Sequence, residues 1–391
     1  MLPSLRKKYN AEFSEKTYSA FMQELHTTYK YPIDFAVSET PLFLSKELTQ
    51  KLVDASYEIV NQLQTKTFFD YSTKAIPQHL IVPNETSHPI FLQVDFAICK
   101  NENGEFFPQL IELQGFPSLY GFQPFLKKTT EKYFSIPQNY TTYFSGLNDE
   151  TYLQLLKKTI LGKSNSENVI LLEIEPENQK TRIDFACTET LLGIESVCVT
   201  KIKKRGKKLF YYKNGKEIPI ERIYNRVIFD ELERKNPPCE FRFTEELDVE
   251  WLGHPNWYFR ISKHTLPFLK SQYVPPAYIL SEIKNLPFDL QNYVLKPLYS
   301  FAGLGVEVEV TPEKLSAIQN KEHYLLQKKV EYTPLVETPE GFSKAEIRMM
   351  FIWNEKPMLV NNLVRMSKGK MMGVAFNKGQ RWVGSSLAYH E

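Results

Sequence analysis

The chain has 391 residues, a formal charge of +2, 42% hydrophobic and 24% charged residues. Domains usually run to about 100–200 residues, so two or three are expected, with ordinary globular composition and enough apolar mass for a core. Near-neutrality argues against a nucleic-acid or acidic-membrane surface.

No stretch approaches the ~20 consecutive apolar residues of a membrane-spanning helix. The start, Met1-Leu2-Pro3-Ser4-Leu5-Arg6, lacks the apolar centre of a signal peptide. Cys99, Cys187, Cys198 and Cys239 form no CxxC pair and have no histidine cluster nearby. That pattern suits a reducing compartment better than a disulfide or zinc framework, and the expected location is the cytoplasm. The basic run Lys201, Lys203, Lys204, Arg205, Lys207, Lys208 lies between two apolar runs with Gly206 inside it, which predicts a solvated hairpin tip.

In chain order, residues 11–66 read mainly as helices. Leu48, Leu52, Val53, Tyr57 and Val60 repeat near the helical period. Ile90, Leu92, Val94, Phe96 and Ile98 alternate strictly, so 90–99 is a strand. Asn103-Gly104 turns the chain into a second strand, Phe106–Leu113, ended by Gly115-Phe116-Pro117. A βαβ cadence follows: strand Val169–Ile174, helix Thr181–Leu192 stopped by Gly193, strand Val197–Lys201. It predicts a small parallel α/β unit. A hairpin at 209–220 and a strand at 222–228 come next. Later segments read as antiparallel strands: 293–296, 306–310, 324–330, 345–353 and 357–365, with a short helix at 312–319.

Four groups of residues point to chemistry. Lys296 ends a strand and is followed by a loop holding Ser300, Gly303 and Gly305. Glycines let backbone N–H groups approach phosphate oxygens, and the ammonium is a point charge for them. The stretch Tyr324–Val330, with Gln327, Lys328 and Val330, resembles an edge strand whose backbone pairs with an adenine edge. Glu346 and Arg348 share one face of a strand, opposite Ile347 and Met349, with Arg365 on the next strand and Asn377 beyond it. An inward guanidinium fork grips phosphoryl or carboxylate oxygens. Asp95 on the early hairpin, with Glu112 and Gln114 two apart on its second strand, places three oxygen-bearing side chains on one face, which suits magnesium. Each group also has a plain structural reading, as a turn, a core strand or a surface ion pair.

Taken in order, these elements resemble the ATP-grasp superfamily. Its pattern is a lysine strand, a glycine-bearing loop, an adenine-side strand, a D/E-x-R strand, a later arginine and a late asparagine. Lys263 in Ser262-Lys263-His264 matches its upstream nucleotide lysine. The acidic strand and E-x-N element that usually close the domain stand here near the front, as Val94-Asp95 and Glu112-Leu113-Gln114. This is similar to the circularly permuted group containing glutathionylspermidine synthetases and eukaryotic-type glutathione synthetases. Ile183–Ile194 and Ile223–Arg226 resemble that group's preceding α/β domain.

The resemblance implies an α/β (α+β) fold: a circularly permuted ATP-grasp domain, a small Rossmann-like α/β domain and a helical N-terminus. The expected divisions are 1–80 helical, 81–150 metal-binding, 151–255 α/β and 256–391 nucleotide-binding. It further implies an ATP- and Mg2+-dependent carboxylate–amine ligase acting through an acyl phosphate on a small-molecule or peptide acid and an amine. In that reading Lys263, Lys296, Ser300, Gly303, Gly305, Gln327, Lys328, Val330 and Asn377 hold ATP. Asp95, Glu112 and Gln114 hold the metal. Arg348 stabilises the transferred group, and Arg365 and Arg226 hold the acid. The chain departs from the group's pattern at Gln114, where asparagine is usual. It departs also at Gln93, where some members have arginine, and at Ser300, where some have a metal-binding glutamate. A non-catalytic nucleotide-binding protein and a small-molecule kinase are the alternatives.

Overall fold

The computed structural model describes residues 2–29, 31–300, 305–369, 372, 377 and 379–391. The N-terminal region is helical, as the sequence predicts: α1 (Pro3–Glu12), α2 (Glu15–Thr27), α3 (Lys46–Leu63) and α4 (Lys66–Thr73). The Ser45 side chain accepts the Leu48 N–H and so starts α3. Its face of Leu48, Leu52, Ala55, Ile59, Val60 and Leu63 is buried. That face shares one core with Leu92, Val94, Phe96 and Leu110 of the early hairpin. The two-residue strand β1 (Leu42–Phe43) pairs in parallel with Ala388–Tyr389, near the end of the chain. The helical region is thus built into the molecule rather than standing beside it.

The early hairpin is β2 (Phe91–Lys100) and β3 (Phe106–Gln114). Its tip turns at Gly104, whose φ of 78° is easiest for glycine. The Asn101 side chain accepts the N–H groups of Asn103 and Glu105 there. Asp95 pairs with Glu112 and Phe96 with Leu110, so Ile111 is the extra residue of a β-bulge. Past β3 the chain crosses beneath Trp257, where Gly115 is required: a Cβ there would lie 2.6 Å from the Trp257 carbonyl oxygen. Helix α5 (Phe122–Tyr133) follows. Its N-terminus is held by Asp184, which accepts the N–H groups of Gly121 and Phe122 at 2.9 Å each and that of Leu119 at 3.1 Å.

After α6 (Asp149–Leu161) come β4 (Val169–Glu173), α7 (Arg182–Leu192) and β5 (Glu195–Cys198). Gly193, at φ 72°, stops α7. The hairpins β6 (Lys203–Arg205), β7 (Lys208–Lys213) and β8 (Lys216–Ile220) carry the basic run. Acidic side chains meet it: Lys204–Glu245 at 2.9 Å, Arg205–Glu217 at 2.7 Å and Lys207–Glu246 at 2.6 Å. With β9 (Arg222–Asn225) and β10 (Glu250–Leu252) the α/β unit becomes a parallel sheet of order β10-β9-β4-β5. The strand expected over 222–228 stops at Asn225, because the Asn225 side chain accepts the Val227 N–H and turns the chain. The strand expected at 197–201 begins earlier and ends in a 3₁₀ turn over Val199–Lys201.

A three-stranded antiparallel sheet has β13 (Tyr324–Lys328) between β11 (Ala277–Ile279) and β12 (Tyr293–Pro297), so the edge strand expected over 324–330 is a central one, paired on both sides. The expected strand 306–310 reduces to one bridge, Leu295 to Glu307. Pro297 has no N–H to extend a ladder, and the Glu309 carbonyl is taken by Lys314 Nζ at 2.9 Å. A short strand, β14 (Val336–Thr338), leads into β15 (Gly341–Trp353) and β16 (Pro357–Ser367). β17 (Gly384–Ser386) and β18 (Ala388–Tyr389) close the chain. The main sheet has the order β17-β16-β15-β2-β3, with β14 on β15. The early hairpin therefore lies against the late strands, and Arg348 sits opposite Asp95. Leu298, Leu325, Ala277 and Ile279 join the same core as the main sheet.

Candidate functional site

Alternation in β2, β3, β15 and β16 sets Asp95, Glu112, Gln114, Glu346, Arg348 and Arg365 on one face. Val94, Phe96, Ile347, Met349, Val364 and Met366 enter the core on the other. Asp95 is fully buried. The Arg348 fork grips it with Nε to Oδ1 and Nη2 to Oδ2, both at 2.6 Å. Arg365 Nη2 also reaches Asp95 Oδ2. Arg365 pairs in addition with Glu346, and lies 3.8 Å from Glu112 Oε1. Glu346 Oε2 accepts the Tyr332 hydroxyl at 2.6 Å.

Two lysines approach from the other side. Burial pushes the Lys296 ammonium down to about 8, against the pull of the Glu112 carboxylate. Lys263 is lowered by burial too, with Glu112 and Asp230 opposing, and its Nζ donates to the Ser300 carbonyl. Burial acts to raise the Glu112 carboxyl, but Lys263, Arg365, Arg348 and Lys296 together hold it at about 2. Lys296 and Glu112, 184 positions apart in the chain, thus share one electrostatic environment. Three carboxylates (Asp95, Glu112, Glu346) face four cations (Arg348, Arg365, Lys263, Lys296). With Asp230, which also acts on Lys263, the formal charges balance, and the four cations are the groups an anionic ligand would engage. Glu112, Gln114, Tyr258, Lys263, Tyr299 and Ser300 are among the residues lining a shallow cleft there.

The strand pairings Leu325 to Lys296 and Gln327 to Val294 put Gln327 on the same sheet face as Lys296. Gln327 is buried, and among the described residues neither polar atom of its amide has a hydrogen-bond partner. Such a group is costly unless something absent from the chain satisfies it. The Lys328 side chain is exposed, and its backbone N–H is donated to the Pro276 carbonyl. Val330 lies just beyond β13 and is half-buried. Gly305 has φ 73°, and a Cβ there would meet Pro297 Cγ at 2.9 Å. Ser300 Oγ lies 3.4 Å from the Pro297 carbonyl. Gly303 lies outside the described residues.

Two residues stand elsewhere. Arg226 follows β9 and pairs with buried Asp184 at 3.0 Å, its guanidinium over the Phe185 ring. Nearby, burial pushes the Glu173 carboxyl up to about 8 in spite of Arg226. Asn377 Oδ1 accepts from Ser367 Oγ at 2.8 Å and from the N–H groups of Lys368 and Gly369, which fixes the turn after β16. Sequence reasoning missed Tyr332, Tyr258 and Asp230. Tyr258 reaches Asp230 at 3.3 Å and the Tyr299 carbonyl at 3.1 Å. No motif marks any of the three.

As a place for a hard cation the face is only partly prepared. Gln114 Nε2 donates to Glu112 Oε1 at 3.0 Å, so its amide oxygen is the atom left for a metal. Both Asp95 oxygens are engaged by arginine. Among the described residues no group of three or more carboxylate, histidine or cysteine side chains is arranged to hold a metal ion.

No family model matches the chain. A glutathione synthetase of Anaplasma centrale is 26% identical over 135 residues, a match covering 32% of this chain and 40% of that protein. The chain thus spans well under half the length of the curated relative it matches. A glutathione synthetase-like effector from Globodera pallida, solved in its apoform, is similar with a TM-score of 0.58 at 12% identity, over 96% of both chains. The chain has the mixed α/β fold of a glutathione synthetase-like protein.

Proposed function

We propose that the chain is a circularly permuted ATP-grasp protein that uses ATP to join a carboxylate to an amine. The observation that carries this reading is the convergence of Lys263, Lys296 and Arg365 on Glu112, from parts of the chain far apart in sequence. The permuted order is supported by β2 and β3, which come early yet complete the sheet beside β15. A nucleotide fits the residues present: the unpartnered Gln327 amide suits a base edge, and the two lysines suit phosphates.

In this reading Lys263 and Lys296 neutralise the triphosphate, and Ser300 and Gly305 border the loop beside it. Val330 and the Lys328 backbone flank the base. Arg348 stabilises the phosphoryl group in transfer, and Arg365, beside the same phosphate, orients the acid. The acid oxygen attacks the γ-phosphorus, ADP leaves, and an acyl phosphate forms. The amine nitrogen then attacks the acyl carbon, inorganic phosphate departs, and the amine gives up a proton. Positioning and charge neutralisation supply most of the rate in such transfers. A divalent cation, bound by oxygens of Glu112 and Gln114 with Asp95 behind them, would neutralise phosphate charge. Arg226 holds the carboxylate of the acid at the carboxyl ends of the parallel strands, where ligands of α/β sheets collect. Asn377 shapes the turn after β16, the strand that carries Arg365.

The engagement of Asp95 by two arginines, together with Gln114 and Ser300, favours a second reading: a protein that holds nucleotide without turnover. Phosphate release in the presence of ATP, magnesium and a panel of acids and amines separates the two. New amide product with release of phosphate supports the ligase. Nucleotide binding without release supports the second reading, and a phosphorylated acid or alcohol as the end product would indicate a kinase.

A further inference from the structure

Asp95 occupies the centre of the face on which a metal would bind, yet it is the least available carboxylate there. It is fully buried, and its two oxygens receive three guanidinium N–H groups, two from Arg348 and one from Arg365. A carboxylate has about four acceptor positions. A dication entering this arrangement would compete with both forks and would also face Lys263 and Lys296, so the free protein resists it. An anion meets the opposite field. Both arginines are forks that fit phosphate oxygens as well as carboxylate.

We infer that Arg348 and Arg365 act as a latch on Asp95. Nucleotide phosphates draw the guanidinium groups away and release the carboxylate for a cation, so the nucleotide builds the metal site. This rests on the ATP reading above. Arg365 is the member able to move. Its side chain is 31% exposed, against 6% for Arg348. It also keeps a second carboxylate, Glu346, steadied by the Tyr332 hydroxyl, so it retains a counter-charge when it leaves Asp95. Glu112 and Gln114 alone give a cation too few oxygens for tight binding.

The test uses the full chain and two probes. Manganese alone, titrated by the electron paramagnetic resonance of the free ion, is expected to bind the nucleotide-free protein only in the millimolar range. Arg365→Gln is expected to tighten that binding at least tenfold, and adding Asp95→Asn to it returns the weak value. Micromolar manganese binding by the unaltered protein overturns the latch, whatever the variants do. So does a folded Arg365→Gln protein that gains nothing. Arg348→Lys, which keeps the charge and loses the fork, gives the same comparison if Arg365→Gln does not fold. ATP titrated by calorimetry in EDTA is the second arm. Binding without metal agrees with the latch. Binding only with magnesium overturns it while leaving the ATP reading intact, and no binding in either condition sinks the ATP reading itself.

Discussion

Lys296 is a cation that the fold tolerates at a cost, and the cost can be worked out. Its ammonium sits at about 8 instead of 10.5, with burial as the largest cause. At about 1.36 kcal/mol per pH unit, the folded state carries a penalty of up to about 3 kcal/mol for keeping it charged. The unfolded chain holds this proton up to pH 10.5 and the folded chain loses it near 8, so the penalty is full below pH 8. Stability is regained as pH rises from about 8 to 10.5. Lys296→Met keeps most of the length of the side chain and removes the charge. The variant is expected to be more stable than the unaltered protein by about 1–3 kcal/mol at pH 7, with the gap closing toward pH 10.5. It is also expected to bind ATP at least ~100-fold more weakly, since one buried ion pair with phosphate is worth a few kcal/mol. Urea denaturation at pH 7 and pH 10, with ATP titration at pH 7, measures both. A variant that is destabilised, or that binds ATP normally, would refute the placing of Lys296 as a half-buried cation kept for an anion.

Gln327→Leu removes one buried amide whose two polar atoms have no partner among the described residues; a gain of about 1–2 kcal/mol in unfolding free energy is expected, with weaker ATP binding. Asp184→Ala leaves Arg226 without its buried counter-charge and the start of α5 uncapped; a loss of about 3–5 kcal/mol is expected from urea midpoints. The Glu173 carboxyl, raised from 4.5 to about 8, binds a proton in the folded state that the unfolded chain has lost. Its contribution is present below pH 4.5 and lost as pH rises through 8. Glu173→Gln is therefore expected to flatten that decline and to stabilise the protein by a few kcal/mol at pH 9, read from thermal melts across pH 5–9.

The sequence carried much of this fold because its local signals agree. Strict alternation over 90–98 and the Asn103-Gly104 turn gave the early hairpin, and the parity of Glu346 and Arg348 gave the polar face. Gly193 marked the end of its helix. What was not legible depends on groups distant in sequence. The strand expected at 306–310 alternates well but finds Lys314 on a carbonyl it would have paired. Strand 222–228 is cut short by the Asn225 side chain accepting the Val227 N–H. The site residues were found by order and spacing, but their engagement was not. Nothing local says that Arg348 and Arg365 close on Asp95, or that Arg226 is paired with Asp184. Tyr332 becomes visible only once β15 brings Glu346 beside it.

The account stands on one shared pocket for nucleotide between the early acidic hairpin and the late lysine- and arginine-bearing strands. A crystal structure with magnesium and a non-hydrolysable ATP analogue tests it most directly. The account predicts the triphosphate among Lys263, Lys296 and Arg365, next to Glu112, with the base against Gln327. An analogue bound elsewhere, or a cleft left empty at saturating analogue, would contradict it.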